Sequence, residues 1–127
     1  MAARLPLYYQ HYDLLYSLLM FDWSTMNLKS KYGINRPELK ILITFKFLMR
    51  LYGKLYLRAP KLRESGLFQK GFNFSKYLPG LAHKRLLDQP MGKKVKSYSI
   101  SNMGLQLLEK IEMDFATGIT QHKFYDP

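Results

Sequence analysis

The chain has no cysteine, which excludes a disulfide scaffold, a thiolate metal site and a cysteine nucleophile. It also has no long apolar run. The longest near-apolar stretch, 14–21 with Ser17 inside it, falls far short of the ~20 residues a membrane span needs. The first residues lack the basic region, apolar run and small-residue cleavage site of a secretory signal. Acidic residues are scarce, nine against twenty Lys and Arg, for a net charge of +11. With 47% hydrophobic and 15% aromatic residues the chain is too apolar to remain disordered. Its 127 residues are enough to bury about two-thirds of the unfolded surface without staples. The expectation is a soluble, cytoplasmic single domain spanning 1–127.

The positive charge is concentrated in the middle of the chain. Between Lys29 and Lys96 there are seventeen basic residues and only three acidic ones, Glu38, Glu64 and Asp88, a net of +14. The two ends together carry three basic and six acidic residues, a net of −3. Such asymmetry points to a polyanion bound by the middle, with ends that serve another purpose. The competing account is a solvated basic surface.

Residues 6–27 read as a helix with Pro6 in its first turn. Leu7, Leu14, Leu18 and Phe21 fall on one stripe, and Tyr8, Tyr12, Leu15, Leu19 and Trp23 on another. Two apolar stripes ask for cover on two sides, one from the domain's own core and one from a second chain. A break follows at 29–34 around Gly33. Asn35-Arg36-Pro37-Glu38 then carries an N-cap, a first-turn proline and a capping-box glutamate, and opens a helix that Gly53 ends. Its spaced apolar residues are Leu39, Leu42, Phe45, Leu48, Met49 and Tyr52. An extended piece at 55–57 and a short helix at 61–65 come next. Ser75 reads as the N-cap of a helix over 76–84, with Leu78 and Leu81 inward and Pro79 as its fourth residue. Two strands, 85–91 and 95–100, join around Gly92-Lys93-Lys94. Ser101 or Asn102 caps a last helix bearing Leu105, Leu108, Ile111 and Phe115, which Gly118 ends.

This order, with its pieces, resembles a winged helix-turn-helix of the MarR type, extended by an N-terminal helix. Asn35-Arg36-Pro37-Glu38 is similar to the entry of that family's second helix. Ser75-Lys76, Leu78, Leu81 and Leu86-Leu87 are similar to its recognition helix and the passage into the hairpin. Gly92-Lys93-Lys94 sits where the wing would be, and Ser99-Ile100-Ser101-Asn102-Met103-Gly104 matches its strand-end, hydroxyl, x, x, Gly step. Three features depart from the pattern: the 66–74 segment exceeds a tight turn, Pro79-Gly80 lies inside the recognition helix, and one long helix follows the wing.

The resemblance implies a mainly α fold with a small β-hairpin. It comprises a dimerisation helix at 6–30, a DNA-binding core at 35–101 and a C-terminal helix at 102–118. It implies a transcriptional regulator binding double-stranded DNA as a homodimer, with no cofactor and no metal, and with room for a small-molecule effector. Lys76, Tyr77, His83 and Lys84 would face the groove, Lys93, Lys94 and Lys96 would form the wing, and Arg58, Lys61 and Arg63 would clamp the backbone. Tyr8, Tyr12, Leu15, Leu19 and Trp23, with Leu108 and Phe115, would form the dimer interface.

Two other readings compete. In one, the winged helix is a docking module in an assembly of a bacterium, phage or mobile element. In the other, Lys70-Gly71-Phe72-Asn73-Phe74-Ser75-Lys76-Tyr77 is the aromatic strand of an RNA-recognition motif, with 41–46 as its companion strand. Catalysis has little to work with. His11, His83 and His122 are scattered, and Glu109, Glu112 and Asp114 read as a solvated acidic face.

Overall fold

The computed structural model describes residues 28–53, 56–90 and 96–122. In chain order these form α1 (Leu28–Tyr32), α2 (Arg36–Tyr52), α3 (Ala59–Arg63), a 3-10 turn at Phe74–Lys76, α4 (Leu78–His83), β1 (Leu87–Asp88), β2 (Ser99–Ile100) and α5 (Asn102–His122). The outcome is the expected mainly helical chain with a small antiparallel pair, Leu87 opposite Ile100 and Asp88 opposite Ser99.

The α2 helix starts where the capping signal placed it. The Asn35 side chain accepts from the Glu38 N–H at 3.0 Å, and Glu38 Oε1 accepts from the Asn35 N–H at 2.9 Å. Pro37 has no N–H, so two of the three orphan N–H groups of this helix end are satisfied in this way, worth ~1 kcal/mol. At the other end Gly53 takes φ 81° and its N–H donates to the Met49 carbonyl. Between these caps Leu39, Ile41, Leu42, Ile43, Thr44, Phe45 and Phe47 are all buried. A helix buried around most of its girth has to sit at the centre, and α2 packs against both α5 and β2.

Several boundaries differ from expectation, each for a local reason. The break at 29–34 narrows to Gly33 and its neighbours, because α1 carries helix to Tyr32 and Gly33 turns at φ 76°. The short helix starts at Ala59 rather than 61, since Pro60 suits the first turn. The helix expected at 76–84 divides. Ser75 donates to Asn73 Oδ1 (2.7 Å) instead of capping, and α4 begins only at Leu78. That shift puts Pro79 in the first turn, where its missing N–H costs nothing.

The described strands cover two residues each, and Leu57 adds an isolated antiparallel bridge to Tyr98 with N–H···O distances of 2.7 and 2.8 Å. The last helix does not end at Gly118 but runs on to His122. Residues 70–77 form turns and a 3-10 segment, and 41–46 lie inside α2, so neither stretch is a strand of an RNA-recognition motif.

The start of α5 shows why its serine–glycine step has that spacing. Ser101 Oγ accepts the Gly104 N–H at 2.9 Å and donates to the Arg85 carbonyl at 2.6 Å. One hydroxyl caps α5 and anchors the turn leaving α4, where Arg85 takes a left-handed φ of 65°. A Cβ at Gly104 would run into the Leu86 carbonyl and the Ile100 side chain, so the helix end approaches this turn only without a side chain there.

Leu108 and Phe115, expected at a dimer interface, are 0% and 4% exposed and belong to the chain's own core with Ile111. Of the acidic residues of α5, Glu109 is exposed as expected, but Glu112 and Asp114 are not simply solvated. Glu112 pairs with Lys46 of α2 at 3.0 Å, both side chains being nearly buried. Asp114 accepts from the Tyr32 hydroxyl at 2.6 Å and lies 3.7 Å from Lys31. Tyr8, Tyr12, Leu15, Leu19 and Trp23 lie outside the described residues.

Candidate nucleic-acid interface

The α4 helix is amphipathic in miniature. Leu78 and Leu81 are buried at 3% and 0% exposure, while Pro79, Gly80 and His83 are exposed. Leu81 also receives the Leu86 N–H on its carbonyl at 3.0 Å, which closes the helix into the turn before β1. The outward surface is therefore a proline, a glycine and an imidazole, flanked by exposed Lys76 on one side and exposed Arg85 on the other. Gly80 has open space where a Cβ would stand, so a ligand can approach the backbone closely there.

Lys84 does not join this surface. Its ammonium donates to Glu38 Oε2 and to the Gly33 carbonyl, each at 3.0 Å. The Glu38 side chain is 8% exposed and already bonded to Asn35, so Lys84 fixes the end of α4 to the start of α2. This corrects its expected role as a groove contact: its donors are spent on a nearly buried carboxylate. Tyr77 is also turned inward, stacking on Phe72 with ring centroids 5.4 Å apart and planes at 16°.

The backbone-clamp residues divide. Arg58 is exposed, and the Leu57–Tyr98 bridge sets it opposite Ser97, next to exposed Lys96, at one end of the sheet. Lys61 makes an exposed pair with Glu64 at 3.3 Å, which contributes little in water. Arg63 donates to the Phe72 carbonyl at 2.6 Å and lies over the Phe74 ring. Lys93 and Lys94 lie outside the described residues. Sequence reasoning missed Arg85, which it placed within a strand, and Arg36 and Lys40, whose one-turn spacing on α2 was the available signal.

Searches for relatives add nothing to this geometry. No family model, no curated protein and no solved structure matches the chain. Among the described residues no helix is long and apolar enough to cross a membrane, and no three His, Asp or Glu side chains gather as metal ligands.

Proposed function

We propose that the protein is a winged-helix transcriptional regulator that binds double-stranded DNA as a homodimer. The observation that carries this reading is the order in which the extended segments meet. Leu57, between α2 and α3, bridges to Tyr98, and β2 pairs in turn with β1. A single extended residue from before the short helices thus bridges to the residue preceding β2, with α4 leading into β1. This order supports a winged helix-turn-helix, in which the recognition helix lies beside the wing.

On this reading α4 presents Pro79, Gly80 and His83 to base edges in the major groove. Arg85, Arg58, Lys61 and Lys96 hold phosphates, and Lys93 and Lys94 extend the wing. The helix is short, so base readout falls to few side chains and most affinity comes from the charge of the middle segment, +14 between Lys29 and Lys96. The dimer reading draws on Tyr32 and Leu28. They tie α1 to α5 and the core, and the two apolar stripes that the sequence offers at 6–27 ask for cover from a second chain. Two recognition helices would then sit about one DNA turn (~34 Å) apart and call for a palindromic site.

A mobility shift on random duplex DNA across a salt series tests the proposal. Binding should weaken steeply with salt, and Lys93→Ala with Lys94→Ala should weaken all sequences alike. Substituting His83 should change which sequences a site selection recovers. Absence of any shift at low salt would refute DNA binding and favour protein docking. Exposed Leu51, Tyr52 and Tyr56 speak for that second reading, since they offer apolar surface to a protein partner.

A further inference from the structure

The segment joining α3 to α4 is longer than a helix-turn-helix turn requires, and it is built around four aromatic rings. Phe68 lies 5.0 Å from Phe72 and 4.8 Å from Phe74, Phe72 meets Phe74 edge-on at 4.8 Å, and Tyr77 stacks on Phe72. Phe74 is buried and the other three are half-buried.

Cations stand around this cluster. Lys40 of α2 is 5.3 Å above Phe68, Arg63 is 4.8 Å above Phe74, and Lys76 is 5.7 Å above Tyr77. Exposed Arg36 lies one turn before Lys40. Burial, and then the charge of Arg36, hold the Lys40 ammonium below the usual lysine range. The neighbouring carboxylates are engaged elsewhere, Glu64 with Lys61 and Glu38 with Lys84. Among the described residues none of the four cations has a carboxylate within ion-pair distance.

Like charges gathered without counter-charge repel one another. A cation over a ring recovers only ~0.5–1 kcal/mol at an exposed site. The arrangement is complementary to a polyanion. It does not suit unpaired bases, which need open ring faces to stack on. Here Phe72 and Tyr77 face each other, and Lys40, Arg63 and Lys76 lie over Phe68, Phe74 and Tyr77. The rings instead hold the charged groups in place, so fewer side-chain rotamers are lost when phosphate binds.

We infer that this cluster is a phosphate clamp, in which Arg36, Lys40, Arg63 and Lys76 grip the sugar–phosphate backbone of duplex DNA beside the groove that α4 enters. The inference rests on the DNA-binding reading above and adds to it a contact that is indifferent to sequence. It also assigns a use to the extra length of the 66–77 segment.

The test uses the full chain, short duplexes of random sequence and single strands of equal length, in a salt series. Arg36→Gln/Arg63→Gln/Lys76→Gln should weaken binding alike for all duplexes and flatten the salt slope by roughly 2–3 units. The charge-preserving set Arg36→Lys/Arg63→Lys/Lys76→Arg should keep the wild-type slope. Arg63 also bonds the Phe72 carbonyl, so its loss can loosen the fold. The pair Arg36→Gln/Lys76→Gln, whose side chains make no hydrogen bond among the described residues, should still remove roughly 1–2 units. A wild-type slope in that folded pair overturns the clamp while leaving DNA binding intact. Preference of the wild type for single strands also overturns it, because the rings would then be taking bases. Failure of the wild type to bind any duplex refutes the DNA reading itself.

Discussion

Gly104 sets helix propensity against tertiary packing, and the two predict opposite signs. It is the third residue of α5, so replacement by alanine should on propensity alone stabilise the protein by up to ~1 kcal/mol. The structure predicts a loss. The new Cβ would run into the Leu86 carbonyl oxygen and come within 2.9 Å of Ile100 Cγ1. That carbonyl cannot readily yield. It accepts the Ser101 N–H at 3.2 Å, and the preceding carbonyl, of Arg85, accepts the Ser101 hydroxyl. Overpacking of this kind costs ~1–3 kcal/mol, which after the propensity gain leaves a net loss of up to ~2 kcal/mol. For a chain of this length each kcal/mol moves Tm by about 3–5 °C. Gly104→Ala should therefore melt below wild type, by up to about 10 °C. Gly80→Ala is the control, in a helix too but with open space around the added methyl, and should gain ~0.5–1 kcal/mol. Thermal unfolding followed by far-UV circular dichroism measures both. A Gly104→Ala protein melting above wild type, as the Gly80→Ala control should, would refute the close approach of α5 to the turn between α4 and β1.

Other perturbations test the remaining ties. Lys46→Met leaves the Glu112 carboxylate nearly buried and alone, costing ~2–4 kcal/mol by denaturant titration, and adding Glu112→Leu should recover most of it. Tyr32 is held well above the ordinary phenol range, chiefly by burial, then by its bond to Asp114 and that carboxylate's charge. Because the protonated form is favoured in the fold, its stabilisation is full below about pH 10 and is lost as pH rises beyond it. Tyr32→Phe should cost ~1 kcal/mol at about pH 8, with the gap to wild type closing above about pH 10; a gap that widens there would contradict the assignment. If the protein is the proposed DNA-binding dimer, Tyr12→Asp with Leu15→Asp should give a monomer with much weaker DNA binding. Sedimentation of the wild type as a clean 15.0 kDa species would refute that reading.

Where backbone chemistry is local, the residues announced the structure. Asn35-Arg36-Pro37-Glu38 formed its capping box, Gly53 stopped α2, and Ser101 with Gly104 opened α5 where their spacing indicated. The misplaced elements were those with two local solutions. Ser75 bonds Asn73 instead of capping a helix, and Pro79 sits in the first turn once α4 begins two residues later than read. Leu108 and Phe115 lay on the expected apolar face of α5, but periodicity does not say whether such a face meets the same chain or another.

The sequence by itself determined the mainly helical character, the caps and stops of α2, the start of α5 and the concentration of positive charge in the middle. Each of these depends on residues within a few positions of one another, or on composition alone. Only the tertiary structure decided which charges are free. Lys84 is spent on Glu38, 46 residues away, and Lys46 on Glu112, 66 residues away, while Arg36, Lys40, Arg63 and Lys76, with no carboxylate partner among the described residues, stand around rings that resembled an RNA-binding strand. A lysine reads the same in sequence whether its ammonium meets a buried carboxylate, a ring face or solvent. The choice among them is made by the packing of segments far apart in the chain.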